Sequence, residues 1–180
     1  MSGIYIHIPF CAKKCSYCDF HFSTTFASYR TKMVDALVKE ITLRKQEGVN
    51  QQLGTIYFGG GTPSILSIEE LEILLQTVKT TFTLDPLVEI TLECNPDDCT
   101  TEKLTAWKNL GVNRLSIGIQ TFESKQLAWM NRTHDANDGL AAVKRAIATG
   151  FDNLTVDLMY GLPDMSLEEW EQQIHQVASL

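Results

Sequence analysis

Short, largely apolar runs rich in β-branched residues alternate along the chain with longer segments whose apolar residues recur at helical spacing. Five of these runs predict strands at residues 3–9, 55–58, 87–93, 113–120 and 153–158. Two of the intervening helices are predicted from these apolar positions: Met33, Leu37, Val38 and Ile41, then Leu71, Leu74, Leu75 and Val78. This alternation predicts a parallel sheet with right-handed crossovers, and the apolar strands predict that both faces of the sheet are covered.

Helix ends can also be predicted from the sequence. Ser67 with Glu70, and Ser166 with Glu169, have the S-x-x-E spacing of a capping box, in which serine and glutamate satisfy free backbone N–H groups. A further helix is predicted over residues 139–149, ending at Gly150 as a C′ glycine.

The chain length limits how many strand–helix units the fold can hold. A closed (β/α)8 barrel takes about 250 residues, whereas this chain has 180. We therefore predict an α/β fold of about five βα units, arranged as an open, partial TIM-like barrel. Its last strand would be unpaired on one side.

Chemically reactive or polar residues follow every predicted strand. They are a cysteine cluster, the glycine-rich run 59–63, Glu93, Gln120 and Asp157. In parallel α/β folds the carboxyl ends of the strands meet at one edge, where ligands bind. The five strand ends therefore predict a single site.

Composition and charge exclude several classes of protein. The chain is 44% hydrophobic, enough for a core, and its 15 basic and 22 acidic side chains give a net charge of −7. Without a basic cluster to neutralise phosphates, nucleic acid is not expected as a partner. There is no run of roughly 20 apolar residues, as a membrane span requires. The first residues lack the basic start of a signal peptide, so we expect a cytoplasmic protein.

Three of the five cysteines, Cys11, Cys15 and Cys18, lie within eight residues with the spacing C-x3-C-x2-C. Such a cluster indicates metal or redox chemistry rather than disulfides. The spacing leaves two alternatives: an iron–sulfur cluster with one open iron, or a Cys3His zinc site completed by His21 or His7. Cys94 and Cys99 are interpreted as inert, buried residues.

With these features the chain resembles the radical S-adenosylmethionine (SAM) superfamily, in which a three-cysteine loop follows the first strand of a partial barrel. Residues 5–11, 58–64, 114–122 and 157–163 are similar to signatures of its HemN/HemW branch. The resemblance implies a [4Fe-4S] cluster on Cys11, Cys15 and Cys18, with SAM chelating the fourth iron. It also implies one-electron chemistry and an electron donor for the cluster.

The resemblance further implies a set of SAM contacts: Tyr5, Tyr17, Gly60, Gly61, Thr62, Glu93, Gln120, Arg132 and Asp157. In it, Arg132 pairs with the SAM carboxylate and Asp157 accepts the ribose hydroxyls. Without the resemblance, the glycine run could either bring its N–H groups close to a ligand or simply form a tight turn between strand and helix. Glu93 could form a core salt bridge, Gln120 could serve a backbone group, and Arg132 could be a surface charge. The two tyrosines could simply pack, and His7 is interpreted as a satisfied core histidine.

Two functions are compatible with this branch. One is a heme chaperone, which binds heme and passes it to acceptor proteins. The alternative is an oxygen-independent coproporphyrinogen III oxidase, an oxidoreductase that acts on a porphyrin precursor. The oxidase usually carries a fourth cysteine, C-x3-C-x2-C-x-C, where this chain has Phe20 after Asp19. The chaperone is therefore favoured, and whether the protein is an enzyme stays open.

The family barrel continues with a sixth strand and a C-terminal domain, while this chain ends near a helix that Ser166 begins. We therefore expect residues 1–180 to be a radical SAM core domain that is incomplete at its C-terminal end. Residues that handle heme or porphyrin are expected partly beyond it.

Overall fold

A computed structural model describes residues 2–48 and 51–180. The strands are β1 (Ser2–Ile8), β2 (Gln52–Gly60), β3 (Thr83–Cys94), β4 (Arg114–Gln120) and β5 (Leu154–Leu158). They form one sheet in chain order, and every neighbouring pair is parallel. The predicted α/β fold of a partial TIM-like barrel with about five βα units is thereby confirmed.

The helices are α1 (Arg30–Leu43), α2 (Ile68–Thr81), α3 (Thr101–Leu110), α4 (Ser124–Trp129), α5 (Ala136–Ala148) and α6 (Leu167–Ala178). Both predicted capping boxes form, at the start of α2 and of α6. Gly150 lies just beyond α5 with φ of +90°, as a C′ glycine does. In the part of the chain that the structure describes, no helix is long and apolar enough to cross a membrane.

The two faces of the sheet differ, and the prediction that both are covered is wrong for the edge strand β1. In β1, Ile6 and Ile8 are buried in the core, whereas Tyr5 and His7, on the opposite face, are exposed. The same alternation continues in β2, where Ile56 is fully buried on the core side. Successive side chains of a strand point to opposite faces, so one face packs on the helices. The other face is exposed at β1 but buried at Thr91 and Ser116 in the middle of the sheet, and its carboxyl edge is available to a ligand.

Candidate functional site

A cavity of about 570 Å³ lies at the carboxyl edge of the sheet, within the range of roughly 300–1,000 Å³ typical of ligand sites. All twelve residues predicted for the site line this one cavity. They are Tyr5, Cys11, Cys15, Tyr17, Cys18, Gly60, Gly61, Thr62, Glu93, Gln120, Arg132 and Asp157. The structure therefore brings the five strand ends to a single site, while the role of each residue stays a prediction.

The three clustered cysteines lie on the loop after β1, and all three are free and partly exposed. Cys11 donates its backbone N–H to Ser23 (3.1 Å), and the Thr62 hydroxyl donates to the Cys11 Sγ atom (3.5 Å). Burial raises the pKa of the Cys11 thiol, and the Thr62 hydrogen bond opposes that rise. Within residues 2–48 and 51–180, no three His, Cys, Asp or Glu side chains are grouped to hold a metal ion.

The ligands of a [4Fe-4S] cluster need not converge on a single metal ion, since each thiolate binds its own iron. Three free thiols around one opening, with a hydroxyl donor and a guanidinium beside them, supply thiolate ligands and compensating positive charge. The residues present therefore fit a cluster of this kind.

The glycine-rich turn after β2 packs directly on the cysteine loop. Gly61 donates its N–H to Ile8 (2.8 Å) and Thr62 donates to Phe10 (2.7 Å). A Cβ atom at Gly61 would lie 2.6 Å from the Phe10 carbonyl and 3.0 Å from the Cys11 Sγ atom. Position 61 requires glycine because the cysteine loop leaves no room for a side chain there. The N–H groups of Gly60, Gly61 and Thr62 all donate within the protein, so the interpretation that these groups are free to face a ligand is wrong for these three residues.

Glu93, at the end of β3, accepts hydrogen bonds on both carboxylate oxygens. The Tyr57 hydroxyl donates to Oε1 (2.8 Å) and the Gly60 N–H donates to Oε2 (3.1 Å). Neither bond is to a core arginine or lysine, so neither is the core salt bridge of the alternative interpretation. Tyr5 stacks on Tyr57 with ring centroids 5.9 Å apart, and its hydroxyl lies 3.2 Å from His7 Nδ1.

Arg132 is held in place rather than solvated as an ordinary surface charge. Its Nη2 donates to Asn95 Oδ1 (2.9 Å) and to the Gly118 carbonyl (2.7 Å), and its Nη1 lies 3.6 Å from Cys15 Sγ. Its Nε atom is buried, and none of the residues that the structure describes accepts a hydrogen bond from it. Burial raises the pKa of Tyr17 to about 12, with the charge of Arg132 opposing the rise. The guanidinium thus lies between the cysteine loop and the end of β4.

Gln120 and Asp157 line the part of the cavity that lies beside β4 and β5. The Ser116 hydroxyl lies within hydrogen-bond distance of both Asp157 oxygens, at 3.1 and 3.3 Å. Partial burial raises the pKa of Asp157, and the Ser116 hydrogen bond and the charge of Arg114 oppose the rise. Gln120 has a left-handed backbone with φ of +71°, at the point where β4 ends.

Other residues of the site differ from the prediction. His7 is exposed and lines the cavity, so its interpretation as a core histidine is wrong. Tyr57, Asn95 and Ser116 were missed, although each bonds a predicted site residue. The period of two in β-strands could have identified Ser116, which lies on the same face as Gly118. No pattern in the sequence indicates the contact of Asn95 with Arg132.

The chain is similar to known proteins over nearly its whole length. The family described as Radical SAM superfamily matches residues 5–177. The heme chaperone HemW of Bacillus subtilis (strain 168) is 40% identical over 183 residues, covering 100% of this chain and 48% of the relative. The HemW of Escherichia coli (strain K12) is 35% identical over 179 residues, covering 99% and 47%. The chain thus spans about half the length of these curated relatives.

A solved structure is similar as well. Coproporphyrinogen III oxidase (HemN) from Escherichia coli superposes with a TM-score of 0.89 at 30% sequence identity. The superposition covers 98% of this chain and 41% of that protein. The similarity therefore extends over the whole sheet and the loops that form the cavity.

Proposed function

Because the chain belongs to the radical SAM superfamily, we propose that it binds a [4Fe-4S] cluster and SAM in the cavity at the carboxyl edge of the sheet. The observation that carries this proposal is the convergence of three free thiols, a guanidinium and two carboxylates on one cavity. When bound, such a cluster supplies low-potential, one-electron chemistry toward SAM.

Each side chain has a defined task in this proposal. Cys11, Cys15 and Cys18 hold the cluster as thiolates. Arg132, fixed by Asn95 and the Gly118 carbonyl, presents a planar guanidinium to the SAM carboxylate. Among the described residues its buried Nε atom has no acceptor, so a bound carboxylate within hydrogen-bond distance would satisfy this donor.

The remaining contacts orient the rest of SAM. Asp157 accepts hydrogen bonds from the ribose hydroxyls, and Ser116 holds its carboxylate in place. Glu93, fixed by Tyr57 and Gly60, presents a negative charge to the cationic end of SAM. These bonds hold the carboxylates in position before SAM arrives, which limits the entropy lost on binding.

We further propose that the whole protein is a heme chaperone, which binds heme and transfers it to acceptor proteins. This proposal is supported by the relatives named heme chaperone HemW, which match this chain over nearly its entire length. It is also supported by Phe20, which lines the cavity where the oxidase pattern has a fourth cysteine. Cys11, Cys15 and Cys18 are free thiols, as cluster assembly requires, and a reducing compartment such as the cytoplasm keeps thiols in that state.

The oxidase is the second candidate, and the similarity to HemN favours it. The two are separated by supplying coproporphyrinogen III, SAM and a reductant without oxygen to the loaded protein and to full-length Bacillus subtilis HemW. We expect no decarboxylated porphyrin product from either protein in this assay. In a separate titration with heme, we expect the full-length relative to bind it. Formation of that product would contradict the chaperone assignment.

The cofactor proposal is tested by anaerobic reconstitution of the chain with iron and sulfide. We expect about four irons and four sulfides per chain, as one cubane contains. Titration with SAM should then change the electron paramagnetic resonance spectrum of the reduced cluster. Stoichiometric zinc in place of iron would support the Cys3His site instead and would contradict the proposal.

A further inference from the structure

The loop between α4 and α5, which carries Arg132, is also hydrogen-bonded to the middle of the cysteine loop. We propose that this contact, formed by Ser16 and Asn131, positions the cluster ligands and Arg132 as one unit. The inference rests on the proposed cofactors, and it assigns to Ser16 and Asn131 a positioning role at their site.

Three hydrogen bonds make up the contact, which we call the clasp. The Ser16 N–H donates to the Met130 carbonyl (3.1 Å), and the Ser16 hydroxyl donates to the Trp129 carbonyl (2.8 Å). The Asn131 amide donates to the Lys14 carbonyl (2.7 Å). The clasp therefore links the loop after β1 to the end of α4 and the loop that follows it.

The backbone at Asn131 is unusual in a way that serves the clasp. Its φ of +58° is left-handed, a conformation that asparagine tolerates better than most residues with a side chain. Glycine would adopt this turn more easily but has no side-chain amide to donate a hydrogen bond. Asn131 thus supplies both the turn and the hydrogen bond to the cysteine loop.

The same turn determines the position of the guanidinium. Arg132 follows Asn131 directly, its N–H donates to Leu127 (3.0 Å), and its Nη1 lies 3.6 Å from Cys15 Sγ. Cys15 itself is the residue before Ser16, at the centre of the clasped segment. A displacement of either loop would therefore change the distance between Arg132 and Cys15, and with it the alignment of SAM and the cluster.

Ser16 and Asn131, whose side chains donate hydrogen bonds in the clasp, are solvent-exposed, so replacing them should leave the fold intact. The alternative is that these bonds only stabilise two surface loops. The alternatives differ in two measurable quantities, the rate at which a chelator removes iron and the dissociation constant for SAM. A merely structural contact would lower the melting temperature without changing either quantity.

The test compares three variants of the reconstituted chain: Ser16→Ala, Asn131→Gly and Asn131→Asp. Asn131→Gly keeps the turn and removes the amide, whereas Asn131→Asp keeps the shape and replaces the donor with an acceptor. Each variant should release iron to a chelator about fivefold faster and bind SAM about fivefold more weakly, the effect of losing one ordinary hydrogen bond.

Two further variants serve as controls. Asp164 is also exposed and left-handed, with φ of +63°, so Asp164→Gly repeats the backbone change away from the clasp and should alter neither quantity. Asp157→Asn should weaken SAM binding without accelerating iron release. Clasp variants that match the wild type in both quantities would overturn the proposal. A wild-type chain that binds neither iron nor SAM would overturn the proposed function and this inference together.

Discussion

Glu93 and Asp157 are both carboxylates at strand ends, yet the protein stabilises their charges to different degrees. Glu93 receives a hydroxyl and a backbone N–H, one on each oxygen. Asp157 is bonded by the hydroxyl of Ser116, which does not offset the effect of partial burial on its pKa. Asp157 has fewer hydrogen-bond donors than Glu93, so its charge is stabilised more by the hydroxyl groups of a bound ligand.

Asp157→Asn should therefore affect stability and binding in opposite directions. The folded-state pKa of Asp157 lies above its ordinary value of 3.8. The folded chain then holds this proton more tightly than the unfolded chain does. This group's contribution to the free energy of unfolding consequently falls as pH rises from about 3.8 through the raised pKa. The variant lacks that fall, so near neutral pH the cluster-free variant should be at least as stable as the wild type.

SAM binding by the loaded Asp157→Asn variant should weaken about tenfold or more, because a hydrogen bond to a charged group is worth about 1.5–3 kcal/mol. Denaturant unfolding of the cluster-free proteins across acidic and neutral pH, with SAM titrations of the loaded ones, would measure both effects. Stability curves that run parallel at every pH would contradict the raised pKa. Unchanged SAM affinity would contradict the ribose contact.

Cys15→Ala should abolish cluster assembly, because a cubane with two protein thiolates loses an anchoring bond and its charge balance. Iron and sulfide per chain, and the brown absorbance after reconstitution, are the measurements. Cys99→Ala is the matched control, since Cys99 is fully buried and, unlike Cys94, is not among the described residues that line the cavity. It should assemble the full cluster. Retention of full absorbance in Cys15→Ala would refute its role as a ligand.

At the level of residues, motifs and strand ends indicated which residues line the cavity, but they did not indicate contacts that depend on the register between strands. The spacing of Cys11, Cys15 and Cys18 predicted a metal or redox site and left iron–sulfur and zinc as alternatives, and their role as ligands stays a prediction. Tyr57 acquires its role because the sheet sets it beside Glu93, 36 residues away in the chain. His7 was interpreted as a core residue because it lies on the first strand, but it alternates with Ile6 and Ile8 and so points to the opposite, exposed face.

Among the elements, the glycine-rich turn after β2 is the one that most directly fixes the cysteine loop. Gly61→Ala would push a methyl group against the Phe10 carbonyl and the Cys11 Sγ atom, at 2.6 and 3.0 Å. Because one contact is backbone, the cysteine loop must move, so we expect iron occupancy after reconstitution to fall severalfold.

Gly161→Ala provides the matched control for this prediction. Gly161 has φ of +70°, yet a Cβ atom there would meet no other atom within 4 Å. The control thus includes the backbone strain of a left-handed alanine, roughly 1 kcal/mol, without the clash at the cluster. Its iron content should equal that of the wild type. Equal occupancy in both variants would show that the turn does not constrain the cysteine loop.

The elements themselves were predictable to differing degrees. The helix α2 has a capping box and four buried residues on one face, Leu71, Leu74, Leu75 and Val78, so both its start and its periodicity were visible. The helix α3 buries only Leu104 and Trp107 and has no glutamate to complete a capping box at Thr100, so it was missed. The helix α4, with six residues, is too short for any periodicity to emerge.

At the scale of the whole molecule, the sheet separates a rigid centre from its functional edge. Strands β2, β3 and β4 each pair on both sides, and their core side chains Ile56, Leu92 and Ile117 are almost fully buried. Within the residues that the structure describes, β1 and β5 each pair with one strand of this sheet. The cavity lies at the carboxyl ends of all five strands, so the centre positions the site while loops contact the ligand.

This arrangement predicts the pattern of amide hydrogen exchange, because protection follows local stability and backbone pairing. In the cluster-free chain, the amides of β2 to β4 should exchange slowest, and alternate amides on the outer edges of β1 and β5 should exchange faster. Loading with the cluster and SAM should add protection to the cysteine loop, to residues 59–62 and to residues 129–132, because these segments meet at the cavity. Added protection confined to the opposite, amino-terminal edge of the sheet would place the ligand elsewhere and would refute the site.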